Sequence, residues 1–126
     1  MLVIRREQQR ALAESTRPTF EENVAAHLRR VWPDATREMD AETLRAWVAG
    51  GAERGARYEL ESEYEVGLFI DLTWSLGTNF DESDAFPWAR EILTDPLLDG
   101  RRRVDLLAER AQEILGEMAD AIDEGS

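Results

Sequence analysis

Val66-Gly67-Leu68-Phe69-Ile70-Asp71-Leu72-Thr73-Trp74-Ser75-Leu76 is apolar on almost every side, with one carboxylate in its middle. A run of this kind suits a buried strand or a central helix, since neither leaves a wide polar face for water. The residues before it sharpen the choice. Tyr58, Leu60, Tyr64 and Val66 are interleaved with Glu59, Glu61, Glu63 and Glu65, which taken alone is the period-2 pattern of a half-buried strand. Length and the closing Gly77 favour a helix from about Ser62 to Leu76. Ser62 is then its N-cap, and Glu63 and Glu65 fall in the first turn, where the helix dipole favours acids. Both readings of residues 58–66 stay open at this level.

Outward from that run the pattern is helical on both sides. Thr19 followed by Glu22 forms a capping box for a helix from Phe20 to about Val31, which Pro33 ends. Phe20, Val24, His27, Leu28 and Val31 share one face of it. A longer helix is expected from Ala41 to Tyr58, capped by Asp40, with Leu44, Trp47, Val48, Gly51, Gly55 and Tyr58 as its inner stripe. Gly50, Gly51 and Gly55 each cost it about 1 kcal/mol against Ala. Either the helix breaks at Gly50-Gly51, or its Gly51/Gly55 face meets a neighbouring backbone closely. Past Gly77, a short helix is expected over Asp84–Leu93, with Pro87 in its first turn and Asp84 or Ala85 at its start. A last helix runs from about Arg101 to Ile122, capped by Asp99, with Val104, Leu107, Ala108, Ala111, Ile114, Leu115, Met118 and Ile122 inward. Residues 3–14 read as a charged helix facing inward at Ile4, Gln8 and Leu12. The expected fold class is all-α: a compact single-domain bundle of five to six helices over 1–126. Residues 1–16 are peripheral in this scheme and 123–126 form a tail.

Composition narrows the function. The 126 residues hold no cysteine, which removes disulfides and thiol chemistry. All 15 basic residues are Arg, so lysine Schiff-base and P-loop chemistry are excluded. No apolar run approaches the ~20 residues of a membrane span, and no signal peptide is visible, so a cytoplasmic protein is expected. The 27 acids give a net charge of −12, unevenly placed. Residues 1–58 balance at +1, 59–95 at −9 and 96–126 at −4. Such a field repels nucleic acid and favours a basic partner, although acidic surfaces also serve solubility.

Catalytic chemistry has few carriers. The one histidine, His27, lies on an apolar helix face, where a packed, hydrogen-bonded role is the ordinary one. Asp71 inside the apolar run needs an Arg, a helix N-terminus or a partner, because an unpaired buried carboxylate is costly. Asp81 and Asp84, with a carbonyl, could hold a hard cation, but the EF-hand spacing is missing and helix capping explains both residues. Trp47 and Trp74 read as core, as do Trp32 and Trp88 near helix ends. No metal and no cofactor is expected.

The stretch Leu76-Gly77-Thr78-Asn79-Phe80-Asp81-Glu82-Ser83-Asp84-Ala85-Phe86-Pro87-Trp88-Ala89-Arg90-Glu91-Ile92-Leu93-Thr94-Asp95-Pro96 carries a distinctive order: Gly, Phe-Asp, Pro-Trp-Ala, Ile-Leu, Asp-Pro. With Phe20, Ala26-His27-Leu28-Arg29-Arg30, Pro33 and the N-terminal Ile4-Arg5, Gln8 and Ala11-Leu12, it resembles a family of small acidic helical accessory proteins. These are encoded beside type VI secretion effectors and other toxin modules in Gram-negative bacteria. The chain departs from that pattern at Ser83-Asp84-Ala85, where an Asp-Pro pair would stand. The resemblance implies a helical domain and carries over no catalytic residue.

The function expected is a non-enzymatic protein-binding module: an adaptor, chaperone or immunity-type partner of a secreted toxin. Contacts to a basic or toxin-like protein are expected from Glu59, Glu61, Glu63, Glu65, Asp81, Glu82 and Asp84. The alternatives are a small metal-dependent hydrolase using Asp81, Asp84 and Asp71, and a homo-oligomer meeting through the Gly51/Gly55 face or the last helix.

Overall fold

Local capping chemistry marks the helix starts. The computed structural model describes residues 19–125 and the side chains of 19–116, so the expected helix over 3–14 and the inward Met118 and Ile122 lie outside it. Helix α1 (Phe20–Val31) begins with the Thr19/Glu22 capping box. Its chain then turns through Trp32 into a single helical turn, α2 (Pro33–Thr36), which the sequence reading did not include. Proline at its first position and a 2.7 Å bond from the Thr36 hydroxyl to the Trp32 carbonyl hold that turn.

Helix α3 (Ala41–Ala56) starts at Asp40, whose carboxylate accepts from the Thr43 amide at 2.7 Å. That bond to the backbone holds the Asp40 carboxyl below its usual range. The helix passes through Gly50-Gly51 without a break. It ends in a Schellman turn: Leu60 N–H donates to Gly55 C=O at 3.0 Å and Glu59 N–H to Ala56 C=O at 3.2 Å. Glu59 occupies the left-handed position of this turn, with φ of 63°. The same turn buries Leu60 to 1% exposure and leads directly to Ser62. Residues 58–62 are thus a helix-to-helix corner, and no strand occurs among the described residues.

Helix α4 (Glu63–Leu76) has a full Ser62/Glu65 capping box. Helix α5 (Pro87–Leu93) is shorter than expected: Phe86 stands at its N-cap without a side-chain bond, and neither Asp81 nor Asp84 caps it. Helix α6 (Gly100–Gly125) starts at Asp99, which accepts from the Arg102 amide at 2.8 Å. These six helices form the all-α bundle expected from the sequence.

The bundle is organised around α4. On one side Val66 and Ile70 join Val24, Leu28, Leu44 and Val48 in a core shared with α1 and α3. On another, Phe69 and Leu72 join Leu60, Phe80, Ala89, Leu93, Val104, Leu107 and Ala111, a core shared with α5 and α6. Each such large apolar side chain contributes about 1.5–3 kcal/mol by leaving water. Two glycines set how closely the neighbours approach α4. A Cβ on Gly51 of α3 would lie 2.4 Å from Ile70 Cγ1, and one on Gly67 of α4 would lie 3.2 Å from the His27 ring. Gly55 faces Leu60 in the same way at 3.3 Å. Gly51 and Gly55 thus pack against Ile70 and Leu60 within the molecule.

Arg103 ties the far side together from a site only 7% exposed. Its guanidinium donates to the Tyr58 carbonyl at 2.7 Å and the Asp95 carbonyl at 2.9 Å, joining the α3–α4 corner to the α5–α6 loop.

Two neighbouring substitutions should act with opposite sign. Gly51→Ala should destabilise by about 1–3 kcal/mol, since buried Ile70 must move. Gly50→Ala, which meets nothing within 4 Å, should stabilise by roughly 1 kcal/mol. Urea denaturation of both variants beside the parent chain checks the pair.

Candidate functional site

A groove runs along α3 over side chains of α4 that are themselves buried. Phe69, Ile70 and Thr73 form the floor of a groove along α3, whose bank carries Thr43, Ala46, Trp47, Gly50, Gly51, Glu53, Arg54 and Arg57. The cavity measures about 460 Å³, within the range of pockets that bind ligands. Its lining is mainly apolar in the middle, with Glu53, Arg54 and Arg57 gathered toward the C-terminal end of α3.

Gly50 is the informative residue of this bank. Its neighbour Gly51 has a structural reason in Ile70, but among the described residues Gly50 has nothing within 4 Å of where a Cβ would stand, and it needs no left-handed backbone. A glycine inside a helix costs about 1 kcal/mol, and at position 50 no described residue packs against it in return. At Gly50 the groove is lined by helix backbone with no side chain. The sequence stripe passed over Gly50 because it lies off the core-facing side.

Trp47 forms one wall. Its ring meets Trp74 edge-on at 5.5 Å, and Trp74 meets Trp32 in the same way at 5.7 Å. Aromatic contacts of this geometry add about 0.5–1.5 kcal/mol each beyond burial. Trp32, Trp74 and Trp88 are half-buried and pack against the two cores, as expected, whereas Trp47 departs from the core assignment and lines the groove.

The Arg-rich end rests on a buried polar cluster. Asp81, 1% exposed, pairs with Arg54 and accepts from the Tyr58 hydroxyl at 2.6 Å. Arg54 also donates to the Thr78 carbonyl, so the 77–81 loop is pinned against α3. Burial pushes the Tyr58 phenol up to about 12, with the hydrogen bond to Asp81 and that carboxylate's charge adding in the same direction. Asp81 is therefore a structural anion that neutralises Arg54. It lies inside the molecule, away from any contact surface, which corrects its place among the expected partner contacts. Arg57 is exposed and forms no ion pair among the described residues.

Among the described residues Asp71 is held by neither an Arg nor a helix N-terminus. Its two oxygens are taken by His27 Nε2 at 2.7 Å and by the Trp32 indole N–H at 2.9 Å. The cluster fastens the α1–α2 corner to α4, and it accounts for the one histidine as a hydrogen-bonding residue. Asp71 and Asp81 are each engaged in a separate cluster, and Asp84 is exposed. Among the described residues no group of three His, Asp or Glu side chains is placed to hold a metal ion.

The remaining expected contact residues divide. Glu59, Glu61, Glu82 and Asp84 are exposed. Glu63 is exposed and accepts from Asn23 at 2.9 Å. Glu65 is half-buried and closes the α4 capping box. The Tyr64 hydroxyl donates to Asp105, and that bond raises its phenol above the ordinary range.

The Asp81 cluster has a pH signature. A phenol raised in the folded chain stabilises fully below its ordinary 10.0, and this contribution is lost as pH rises toward about 12. In a Tyr64→Phe variant Tyr58 is the only tyrosine left. Its tyrosinate absorbance should then develop well above pH 10 while the chain stays folded. A midpoint near 10.0 would mean that the Tyr58–Asp81 bond does not persist in solution. Set beside known proteins, the chain matches no family model, no curated protein and no solved structure, so its site is read from its own chemistry.

Proposed function

We propose that the chain is a non-enzymatic protein-binding module that receives a helical segment of a protein partner in the α3–α4 groove. The observation that carries this is the groove itself, lined on its α3 side by Gly50, a helix-interior glycine against which no described residue packs. Helical segments use such grooves by laying an apolar face into them. Small residues at the contact let two helix axes come to about 8 Å, the short end of the usual range. Asp71 and Asp81 support a binding role over hydrolysis, because both are held by donors of the fold itself.

The acidic surface supplies steering. Glu59, Glu61, Glu82 and Asp84 are exposed, and the net charge is −12, which favours a basic protein over nucleic acid. No helix of the described residues is long and apolar enough to cross a membrane. An adaptor or immunity role toward a secreted toxin, met in the cytoplasm, is the form of this reading that the type VI resemblance implies.

Affinity capture from the native host at low ionic strength, run with the parent chain and with Gly50→Leu, tests it. A partner held by the parent, released as salt rises and lost with a folded Gly50→Leu chain is the expected result. Circular dichroism and melting show whether the variant is folded. Recovery of the same proteins by both chains, or of none by either, overturns the proposal.

A further inference from the structure

A second valley runs along α4, on the side away from α3. Tyr64, Leu68, Asp71 and Ser75 follow one another at spacings of four, three and four, so they share one strip of the helix. Tyr64 is 46% exposed, and the other three are half-buried. Helices α1 and α6 form the banks. His27 of α1 reaches Asp71 at 2.7 Å, and Arg101 of α6 lies over the Tyr64 ring at 3.9 Å. A cavity of about 210 Å³ opens beside His27, Arg30, Tyr64 and Leu68. Val31 stands one turn beyond His27 on α1. On α6, Ala108, Gln112 and Leu115 continue the side on which Asp105 meets Tyr64, at spacings of three, four and three. Among the described residues the exposed large apolar side chains are Val31, Tyr64, Leu97 and Leu115. All but Leu97 border this valley. Apolar side chains scattered singly are ordinary, whereas a group around one valley marks a surface that something covers.

The chain itself supplies a segment of matching length at the matching end. Asn23 donates to Glu63 at 2.9 Å, so α1 and α4 start side by side and the chain enters α1 at the Tyr64 end of the valley. The helix expected over residues 3–14 is about 18 Å long at 1.5 Å per residue, and Tyr64 to Ser75 spans about 16 Å. Residues 15–18 join it to Thr19, a link short enough to set two helices antiparallel and adjacent. Charge favours the same placement. Residues 1–18 hold four Arg and two Glu, a balance of +2, while residues 19–126 hold eleven Arg and 25 acids, a balance of −14. A short tether also holds the segment at an effective concentration on the order of millimolar, so a modest contact suffices.

We infer that residues 3–14 lie as a helix in the valley between α1 and α6, antiparallel to α1, with Leu12 over Tyr64, Gln8 over Leu68 and Ile4 between Val31 and Leu115. The occupant is the chain's own N-terminal arm, and it completes the cover of α4. The α3–α4 groove plays no part in this, so the two readings fail separately.

The chain has no cysteine, so an introduced pair reports without background. Two full-length variants, Leu12→Cys/Tyr64→Cys and Leu12→Cys/Gly50→Cys, are oxidised mildly at low protein concentration. Tyr64 and Gly50 are both exposed, and a disulfide needs Cα atoms within about 7 Å. The Tyr64 pair should close within one chain about tenfold faster than the Gly50 pair, as a docked arm is concentrated at one site only. Adding Ile4→Asp should bring its rate down to that of the Gly50 pair. Hydrogen exchange on the parent chain gives a second readout that needs no thiol. Amides within residues 3–14 should be protected, and Ile4→Asp should release them while those of α4 stay protected. Equal closure of the two pairs, or unprotected amides in 3–14, overturns the inference. Faster closure at Gly50 overturns it by placing the arm in the α3–α4 groove. Bridges that form only between chains overturn it by giving the valley to a second copy.

Discussion

A helix that is apolar around its whole circumference has to be covered on every side, and α4 is that helix. Its burial needs come first, and the rest of the bundle is arranged to meet them. Helices α1 and α3 cover Val66 and Ile70, while α5 and α6 cover Phe69 and Leu72. The close fits at Gly51 and Gly67 are the geometric condition for this cover, because a methyl group at either place would hold a neighbour away. The one carboxylate of α4 is tolerated since both its oxygens meet donors on α1 and at the α1–α2 corner. The groove runs beside this cover, over α4 side chains that are already buried.

The corner between α3 and α4 joins the two cores. Tyr58 bonds to the loop anion through its hydroxyl, to Arg103 through its carbonyl, and packs its ring on Phe69. Glu59 then reverses the chain in a left-handed conformation that costs a non-glycine residue roughly 1 kcal/mol or more. Gly100 lies tight against it: a Cβ there would stand 2.8 Å from the Glu59 carbonyl oxygen. The packing of α6 against this corner offsets the strain.

The sequence made the helices readable where their cause is local. Thr19 with Glu22, Asp40 with Thr43, and Ser62 with Asp99 as further caps all act within three residues of themselves. Residues 58–66 were ambiguous because alternation of acids and apolar groups also describes a helix end, a tight turn and a new first turn in succession. The polar clusters were illegible for the opposite reason. Asp71 depends on residues 44 and 39 positions away, and Asp81 on residues 27 and 23 away. Spacing along the chain holds no record of such pairings, so Asp81 read as a cap or surface acid. The groove was hidden too, since it is defined by what α3 and α4 leave between them. Gly50 was visible as a cost, but its place beside the groove needed the third dimension.

The chain of tryptophans from Trp32 through Trp74 to Trp47 links the α1–α2 corner to the groove wall. Indole emission depends on the polarity around the ring, and excitation passes readily between indoles this close. Trp47 faces the groove and its light is shared with two others, so the molecule carries its own optical gauge of occupancy. A segment that dries the wall would alter the colour of the whole triplet without any label attached.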